Sequence, residues 1–558
     1  MTDLINEIKK QINDTVTQAL EKIGADSQTE IEIEVPKEKA HGDFSVNTAM
    51  KLTKTLGRNP REIAAQITEA MNFADTYIEK AEIAGPGFIN FYLKKEWLAD
   101  GLRLAHDLGK DFGRTNIGGG KKVMVEFVSA NPTGPMHMGN ARGGALGDSL
   151  ASVLDWTGYD VTREFYINDA GAQIEKFGKS LEARYMQLIG GEDSFEFPED
   201  GYKGGDIKQH AQNYLDKFGS ELAGRPSAER RQALINYALP INIENLKRDL
   251  GRYRINYDVW FYESSIHKNG EVAETIKLLE DAGLTYEKDG AVWIKTTEFG
   301  DEKDEVLIRA NGIPTYFAVD IAYHRNKFEK RGFDRVINIW GADHHGHVAR
   351  MKGAMEALGI DSSKLEIIIM QLVRLMKNGD VARMSKRTGE MITLSDLIDE
   401  IGVDAARFFF NLRQAGSHLE FDMDLAVAQN SDNPVFYVQY AHARIASILR
   451  ALGAENITLA PADSIDLSLL KEEAELDLMT KIISLPQEIA QCAISMEPSK
   501  LTRYVLDLAA LFHSFYNSCR VKCGDAALMQ ARLLLVETTK QVIENVLGLL
   551  KIDAPDEM

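Results

Sequence analysis

Cysteine and long apolar runs are scarce in this chain, and each shortage excludes some classes of protein. Only three cysteines, Cys492, Cys519 and Cys523, occur among 558 residues, too few for a disulfide framework and typical of a reducing compartment. No apolar run approaches the roughly 20 residues of a membrane-spanning helix. The polar, amphipathic N-terminus also lacks the apolar centre of a secretory signal. We therefore expect a cytoplasmic protein without a membrane partner.

Positive charge is also in short supply. The chain has 64 Lys and Arg against 84 Asp and Glu, a formal net charge of −20, which argues against a general nucleic-acid binder. It does not exclude a protein that binds one folded RNA through a local basic strip, because phosphate contacts depend on the local surface. The length exceeds that of a single domain, so several domains are expected.

Periodicity predicts a multidomain α/β protein. An N-terminal α/β domain precedes a Rossmann-like domain with a parallel sheet and insertions, and the C-terminus is an all-α helical bundle. The stretch GAVWIKTTEFGDEKDEVLIRANG predicts a hairpin that returns the chain to the main sheet. The boundaries we expect are 1–115 for the first domain, 116–375 for the second with an insertion at about 176–300, 376–430 for a connecting region, and 431–558 for the bundle.

The most informative motif is ANPTGPMHMGNARGG, around His137. It follows the apolar run Val123 to Val128 and precedes a helix-compatible segment. Strand, Gly-rich turn and helix is the order in which backbone N–H groups and a helix N-terminus receive phosphate oxygens. In this interpretation His137 and Asn140 donate hydrogen bonds, and Gly139 lets the backbone approach closely.

A second motif, ARMSKRTGE, places Lys386 and Arg387 in a loop before the capped helix TLSDLIDEIG. Cations on such a loop can reach the β- and γ-phosphates of ATP, and catalysis of phosphoryl chemistry relies on charges placed in this way. Taken alone, His137 is a helix-start histidine and RMSKR a solvated basic loop. The ordered pair of motifs favours an ATP site.

The stretch WGADHHGH ends an apolar strand, where open α/β sheets place ligands. Gly341 and Asp343 suit ribose hydroxyls, because a carboxylate accepts hydrogen bonds from both. The alternative is a metal site built from His344, His345 and His347, although no Cys or Glu follows at ligand spacing.

Tyr316 and Asp320 lie four residues apart in GIPTYFAVDIAYH and so share one helix face. An aspartate beside a phenol suits a guanidinium, whose planar fork pairs with a carboxylate. Upstream, Glu126, Ser129 and Asn131 offer groups for the α-amino and carboxylate ends of an amino acid. The alternative for Tyr316 and Asp320 is the polar edge of an amphipathic helix.

The motifs together resemble arginyl-tRNA synthetase of bacterial type, a class I aminoacyl-tRNA synthetase. The resemblance rests on VEFVSANPTGPMHMGNARGGALGDSL, REFYINDAGAQI, TYFAVDIAYHRNKF, WGADHHGH, MSKRTGE and SDNPVFYVQYAHARI, with HGDFS and AGPGFINFYL in the leading domain. It implies ATP-dependent formation of arginyl-adenylate and transfer to the 2′-hydroxyl of the terminal adenosine of tRNA-Arg, with activation requiring bound tRNA. Three positions depart from the family pattern: Asn140 replaces a His, Arg383 a Lys, and His344 stands near a Gln of some relatives.

The resemblance also implies roles for individual residues. The catalytic group is His137, Asn140 and Lys386. The ATP-binding group is Gly139, Gly341, Asp343, Met384, Ser385 and Arg387. The arginine-binding group is Glu126, Ser129, Asn131, Tyr316, Asp320 and His344, while Asn168, Asp169 and Gln173 match a motif that lines the active site.

Partners follow from the same resemblance. The N-terminal domain is expected to contact the tRNA elbow and the bundle to read the anticodon loop, through the segments of Tyr437, Tyr440, His442 and Arg444 and of Tyr504, Phe515, Tyr516 and Asn517. Aromatics at helical spacing are more often core residues. L-Arginine and ATP are expected as substrates, Mg²⁺ as a companion of ATP, no structural metal held by the protein, and a monomer.

Three other functions fit parts of the sequence. One is a class I synthetase for another amino acid. The second is a nucleotidyltransferase with a smaller substrate, which would not need the long helical C-terminus. The third is a non-catalytic, synthetase-like RNA-binding protein, which would not need His137, Gly139 and Lys386.

Overall fold

The computed structural model describes residues 4–382 and 392–558. In these two ranges, no helix combines the length and the apolar character needed to cross a bilayer. The main sheet, the N-terminal sheet and the C-terminal helices share one hydrophobic core, with smaller cores beside it. The predicted fold class, a multidomain α/β protein with a helical C-terminus, is confirmed.

The N-terminal part is an antiparallel sheet covered by helices. Its strands run in the order β1-β2-β4-β3. Helix α4 begins where Asn59 accepts a hydrogen bond from the Arg61 N–H and Pro60 occupies the first turn. The elements are α1 (Leu4–Lys22), β1 (Ile33–Glu34), β2 (Phe44–Val46), α2 (Thr48–Lys51), α3 (Thr53–Leu56), α4 (Pro60–Ala70), β3 (Ile78–Ala84), β4 (Phe88–Leu93) and α5 (Glu96–Leu108).

The central part is a five-stranded parallel sheet in the order β12-β11-β5-β6-β7. The predicted unit of strand, Gly-rich turn, helix and parallel strand is present as β5, α6 and β6. The sheet and its helices are β5 (Lys122–Glu126), α6 (Met138–Trp156), β6 (Asp160–Ile167), β7 (Val259–Tyr262), α12 (Tyr316–Arg325), β11 (Arg335–Gly341), α13 (His347–Ala357) and β12 (Leu365–Met370).

Between β6 and α12 the chain forms a group of helices and a small separate sheet. Strand β7, which lies within this stretch, belongs to the main sheet. The predicted hairpin forms, but it does not join the main sheet as expected. Its strands instead make a separate antiparallel sheet in the order β10-β9-β8. The elements are α7 (Gly171–Gly190), α8 (Gly205–Phe218), α9 (Ser227–Arg252), α10 (Glu263–Lys268), α11 (Glu271–Asp281), β8 (Thr285–Lys288), β9 (Ala291–Ile294) and β10 (Glu305–Ile308).

The apolar stretch LEIIIMQLVRL, whose pattern predicts one buried strand, forms two strands. It breaks after β12 near the highly exposed Leu372, and its second half enters another sheet in the order β14-β13-β15. The elements of this connecting region are β13 (Val373–Lys377), β14 (Asp380–Val381), α14 (Leu394–Ile401), α15 (Val403–Phe410), β15 (Leu419–Asp422) and α16 (Met423–Val427). Thr393 and Asp396 form a capping box at the start of α14, as the sequence predicts.

The C-terminal part is a bundle of five helices. Apolar faces of α17, α20 and α21 supply its core, with Val438, Phe512 and Val542 all fully buried. The helices are α17 (Pro434–Ala454), α18 (Glu473–Ile483), α19 (Leu485–Ser495), α20 (Ser499–Ser518) and α21 (Ala526–Leu549).

Candidate active site

The candidate site lies where β5, β6 and β11 end. Their parallel register puts Asn338, Glu126 and Glu164 side by side on three neighbouring strands. All three are buried polar residues, and residues in register on parallel strands point to the same face of the sheet. Helix α12, which carries Asp320, covers this face: the hydroxyl of Tyr323 on α12 lies 3.2 Å from Oε2 of Glu126.

The turn between β5 and α6 holds strained backbone. Val128 and Ser129 have φ values of 68° and 40°, in the left-handed region that non-glycine residues, and β-branched ones above all, rarely adopt. The conformation is held by hydrogen bonds: Ser129 Oγ donates to Glu126 Oε1 at 3.1 Å and accepts from the Tyr166 N–H at 3.1 Å. Strain maintained in this way is common at ligand sites.

His137 is the residue that immediately precedes α6, with extended backbone angles and no side-chain cap hydrogen bond. A Cβ at Gly139 would lie 3.2 Å from the His137 Nδ1, so glycine gives the imidazole room to lie over the first turn. Partial desolvation lowers the pKa of the His137 ring, which favours a neutral donor at neutral pH. Asn140 donates its backbone N–H to the His137 carbonyl at 3.0 Å.

The backbone beside His137 pairs with residues that follow the second motif. Met138 donates its N–H to the Ile392 carbonyl at 3.0 Å, and Leu394 donates to Met136 at 2.8 Å. The second motif, with the predicted residues Arg383, Met384, Ser385, Lys386 and Arg387, lies outside the described residues.

Asp320 lies in an acidic pocket on α12. Burial, followed by the nearby carboxylates of Glu263 and Glu126, raises the pKa of its carboxyl to about 7, and Lys327 opposes them. Burial also raises the pKa of Glu263, whose Oε2 accepts from the Tyr166 hydroxyl at 2.9 Å. Grouped carboxylates in a partly dry pocket favour a cationic ligand, which would offset their mutual repulsion.

Tyr316 occupies the first turn of α12 and is nearly half-exposed. Its hydroxyl accepts the Ala172 N–H at 3.0 Å, at the start of α7. The preceding turn contributes Asn168, whose amide, oriented to satisfy its neighbours, donates to Glu263 at 3.2 Å. Asp169 accepts the Ser264 N–H at 2.8 Å. The pocket wall is therefore built from three segments that are far apart in sequence.

The other predicted site residues lie at the edge of this region or outside it. Gln173 accepts from the Tyr202 hydroxyl, and Asn131 is exposed on the turn after β5. Gly341 ends β11, where a Cβ would lie only 2.6 Å from Asp343 Oδ1. Asp343 is mostly exposed and His344 half-exposed, and the two side chains are 3.6 Å apart.

One further cluster contains potential metal ligands. Among the described residues, the one group of three such side chains close enough to share an ion is His442, Glu544 and Asp556 in the bundle. Lys540 already lies 2.7 Å from Glu544 and 3.1 Å from Asp556. The ammonium of this lysine supplies the positive charge that the carboxylates require.

Sequence reasoning missed Glu263, Tyr166 and Lys327. Glu263 follows β7, a strand that the sequence pattern does not single out, inside a stretch interpreted as an insertion. Only sheet assembly brings it beside Asp320. Lys327 had a signal, because Tyr316, Asp320, Tyr323 and Lys327 follow helical spacing, but spacing does not identify what the shared face contacts.

On the bundle, the predicted RNA residues separate into exposed and buried ones. Tyr440 is 42% exposed, and the Arg444 guanidinium lies 3.9 Å from the centre of the Tyr516 ring. Tyr440 and Arg444 line a cleft of about 360 Å³, whose lining residues are Ser431, Phe436, Tyr437, Tyr440, Arg444, His513 and Asn517.

His442, Tyr504 and Phe515 do not share that exposure and belong to the core of the bundle. The His442 ring lies 2.8 Å from the Pro555 carbonyl and 2.8 Å from Glu544, so both of its nitrogens have partners. The Tyr504 hydroxyl donates to the Lys481 carbonyl at 2.7 Å. These three side chains have no edge available for a base in this conformation.

Comparison with known families covers most of the chain. Residues 8–93 match the arginyl tRNA synthetase N terminal domain. Residues 108–411 match the catalytic domain of class I (R) tRNA synthetases, and residues 438–558 match the DALR anticodon binding domain.

Individual relatives agree with this pattern. The arginine–tRNA ligase of Acetivibrio thermocellus is 57% identical over 100% of both chains, and that of Ruminiclostridium cellulolyticum is 56% identical over 100% of both. Among solved structures, Thermus thermophilus arginyl-tRNA synthetase has a TM-score of 0.76 at 22% identity, with 98% of this chain and 100% of that one covered. At that identity, the structural likeness indicates the fold.

Proposed function

The chain belongs to the arginyl-tRNA synthetase family, and we propose that it activates L-arginine with ATP and transfers the arginyl group to tRNA-Arg. The observation that carries the proposal is an acidic pocket, made by Asp320, Glu263 and Glu126, where Glu126 ends the strand that leads to a helix N-terminus able to bind phosphate. The pocket accounts for arginine and the helix N-terminus accounts for ATP.

In the first step, a carboxylate oxygen of arginine attacks the α-phosphorus of ATP. An oxygen–phosphorus bond forms, the bond to the bridging oxygen breaks, and pyrophosphate leaves with the electron pair. Negative charge grows on the phosphate oxygens, so positioned donors lower the barrier. His137 and the first N–H groups of α6 are proposed as donors to the α-phosphate, with Asn140 beside them. Lys386, Arg387, Met384 and Ser385 are proposed to hold the β- and γ-phosphates.

In the second step, the 2′-hydroxyl of the terminal adenosine of tRNA attacks the arginyl carbonyl. The new ester bond forms as the bond between the arginyl carbonyl carbon and the phosphate oxygen breaks; AMP leaves with the electron pair, and its phosphate takes up the proton of the hydroxyl. Holding both reactants in one site supplies most of the acceleration expected for such a transfer. The ribose of ATP is proposed to contact Gly341 and Asp343. Mg²⁺ would enter with ATP and spread charge over its phosphates.

Arginine is proposed to lie along the acidic face between α12 and the end of β5. Asp320 and Glu263 receive the guanidinium, with the Tyr316 hydroxyl beside them, and Glu126 and Ser129 receive the α-ammonium. Asn131 and His344 are proposed as outer contacts, because both are exposed at the rim. Carboxylates on two sides of a guanidinium use several of its five donors.

The RNA is proposed to extend from the N-terminal domain to the bundle. We propose the division into 1–115, 116–375, 376–430 and 431–558, and separate family matches at 8–93 and 438–558 support its first and last parts. The exposed cleft of Tyr437, Tyr440 and Arg444 is proposed to stack anticodon-loop bases, since aromatic and guanidinium faces suit single-stranded loops. We propose a monomer that works in the cytoplasm.

Aminoacylation of total tRNA with each of the twenty amino acids tests the proposal. We expect charging with arginine only, and loss of charging in Asp320→Ala. Charging with another amino acid, or an unchanged arginine KM in that variant, would indicate a different synthetase. ATP turnover that survives deletion of residues 431–558 would indicate a smaller-substrate nucleotidyltransferase. Absence of arginine-dependent charging would indicate a non-catalytic RNA-binding protein.

A further inference from the structure

Lys327 is a fully buried lysine next to the proposed arginine pocket. Its ammonium donates to Glu126 Oε2 at 2.6 Å and to Asn338 Oδ1 at 3.1 Å. It also lies 4.1 Å from the centre of the Tyr323 ring. An ammonium has three N–H donors and no acceptor, so these three partners occupy all of its directions, and none remains for a substrate.

The hydrogen bonds of Lys327 fix the polarity of a longer chain. Because Lys327 only donates, the Asn338 oxygen accepts, and the Asn338 amide nitrogen donates to His324 Nε2 at 2.7 Å. His324 Nε2 is therefore unprotonated, and Nδ1 donates to the Asp320 carbonyl at 2.8 Å. Burial, with Lys327 nearby, keeps the pKa of His324 well below its ordinary value, as a neutral ring requires. One chain of hydrogen bonds, each with a fixed donor and acceptor, thus connects Glu126 to the backbone of Asp320.

A π-helical turn at the end of α12 brings Lys327 to this place. The turn covers Asn326–Lys330, and the Arg331 N–H donates to the Asn326 carbonyl at 3.0 Å. Turns of this kind are rare in proteins, and those that occur are often found at functional sites. The widened turn places the lysine stem beneath Tyr323 and its ammonium at the row of polar residues across the sheet.

Glu126 is held on both of its oxygens. Lys327 binds Oε2, and Ser129 donates to Oε1 at 3.1 Å. Carboxylates face this region from each packed element: Glu126 on β5, Glu164 on β6, Glu263 on α10 and Asp320 on α12. Arg331 pairs with Glu164 at 3.0 Å, so within residues 4–382 and 392–558 Lys327 is the cation in contact with Glu126.

We propose that Lys327 is a positioning residue for arginine binding: it fixes the Glu126 carboxylate to receive the substrate α-ammonium and does not itself touch the substrate. The inference rests on the proposed function, in which Glu126 contacts that ammonium. Lys327 contacts Glu126 directly and influences Asp320 only at a distance, so its loss should weaken ligands with an α-amino group more than ligands without one. A residue with a merely structural role would instead affect all ligands of the site together.

The substitution Lys327→Met keeps the stem and removes the charge. We expect the arginine KM in aminoacylation to rise about tenfold to a hundredfold, the size typical for one lost hydrogen bond to a charged group. The KM for ATP should stay within about twofold. The inhibition constant of 5-guanidinopentanoate, which has the guanidinium and carboxylate of arginine but no α-amino group, should rise much less than the arginine KM. Lys330→Met is the matched control, because Lys330 lies in the same turn but pairs with Glu271 and Glu274 outside the pocket.

A double variant keeps the test decisive if Lys327→Met does not fold. Glu126→Gln with Lys327→Met removes both charges of the pair, and we expect its arginine KM to equal that of Glu126→Gln alone, since coupled residues are not additive. A double variant much weaker than Glu126→Gln overturns the inference. An unchanged arginine KM in Lys327→Met, or equal weakening of arginine and 5-guanidinopentanoate, also overturns it. Failure of the unsubstituted chain to charge arginine would instead overturn the proposed function.

Discussion

Replacing Asp320 by Asn should raise the stability of the unliganded protein above pH 7 and weaken its binding of arginine. The pKa of the Asp320 carboxyl is raised from 3.8 to about 7, first by burial and then by Glu263 and Glu126. A raised acid pKa means that the folded state binds its proton more tightly than the unfolded chain does. The contribution of Asp320 to the free energy of unfolding therefore falls as the pH rises from about 4 to 7. The whole destabilisation is present above pH 7.

The magnitude follows from the shift. Three pKa units at about 1.36 kcal/mol each correspond to at most about 4 kcal/mol of unfolding free energy. The value is an upper limit because Asp320 is partly exposed. Asn has nearly the same shape and no charge, so Asp320→Asn should be more stable than the parent above pH 7 and equal to it near pH 4.

Thermal unfolding of both proteins across pH 4 to 8.5 measures this difference, with and without arginine. At about 100 times its Kd, arginine should stabilise the parent by roughly 2.7 kcal/mol and leave Asp320→Asn unchanged. A difference between the two proteins that is constant with pH, or that grows toward low pH, would refute the reasoning. Asp304→Asn is a matched control, because the pKa of Asp304 is lowered rather than raised, so that its removal should lower stability.

Three further predictions concern individual contacts. His137→Ala should lower kcat about a hundredfold to a thousandfold, as expected for one lost donor to transition-state charge, with the arginine KM unchanged in steady-state aminoacylation; a rise in that KM alone would contradict the assignment. Tyr316→Phe removes the acceptor of the Ala172 N–H and should raise the arginine KM severalfold, for a loss of about 1 kcal/mol, whereas an unchanged KM would remove Tyr316 from the pocket. Tyr440→Ala should raise the tRNA KM by a factor equivalent to about 1–3 kcal/mol, the cost of one lost stacking contact, and should leave the ATP KM unchanged. An unaffected tRNA KM would place the RNA elsewhere.

Local patterns predicted the elements well, because period and capping are local. The apolar run, the glycines around His137 and the helix-compatible segment after it predicted β5, the turn and α6. Thr393 and Asp396 predicted the start of α14. The i, i+4 spacing of Tyr316 and Asp320 placed them on one face, as the structure has them.

Nonlocal relations were harder. The hairpin of β9 and β10 has no local mark of which sheet it joins, and it pairs with β8 rather than with the main sheet. Glu263 and Asp320 meet only because β7 joins the sheet edge, which no short stretch encodes.

The bundle shows both cases at once. Tyr437, Tyr440 and Arg444 lie at helical spacing on one face of α17 and border the same cleft. His442 falls between them in sequence and so lies on the opposite face, where it is buried. Periodicity carried this information, but it could not tell which face is exposed until the packing of α20 and α21 was known.

Competition between arginine and citrulline measures the selection of a guanidinium charge most directly. Citrulline has nearly the same shape as arginine, but an uncharged urea replaces the guanidinium. If Asp320 and Glu263 select the cation, citrulline should bind at least about a hundredfold more weakly than arginine, the equivalent of one or two lost charge-assisted hydrogen bonds. Equal inhibition of arginine charging by citrulline would show that the acidic pocket does not read the charge and would contradict the account.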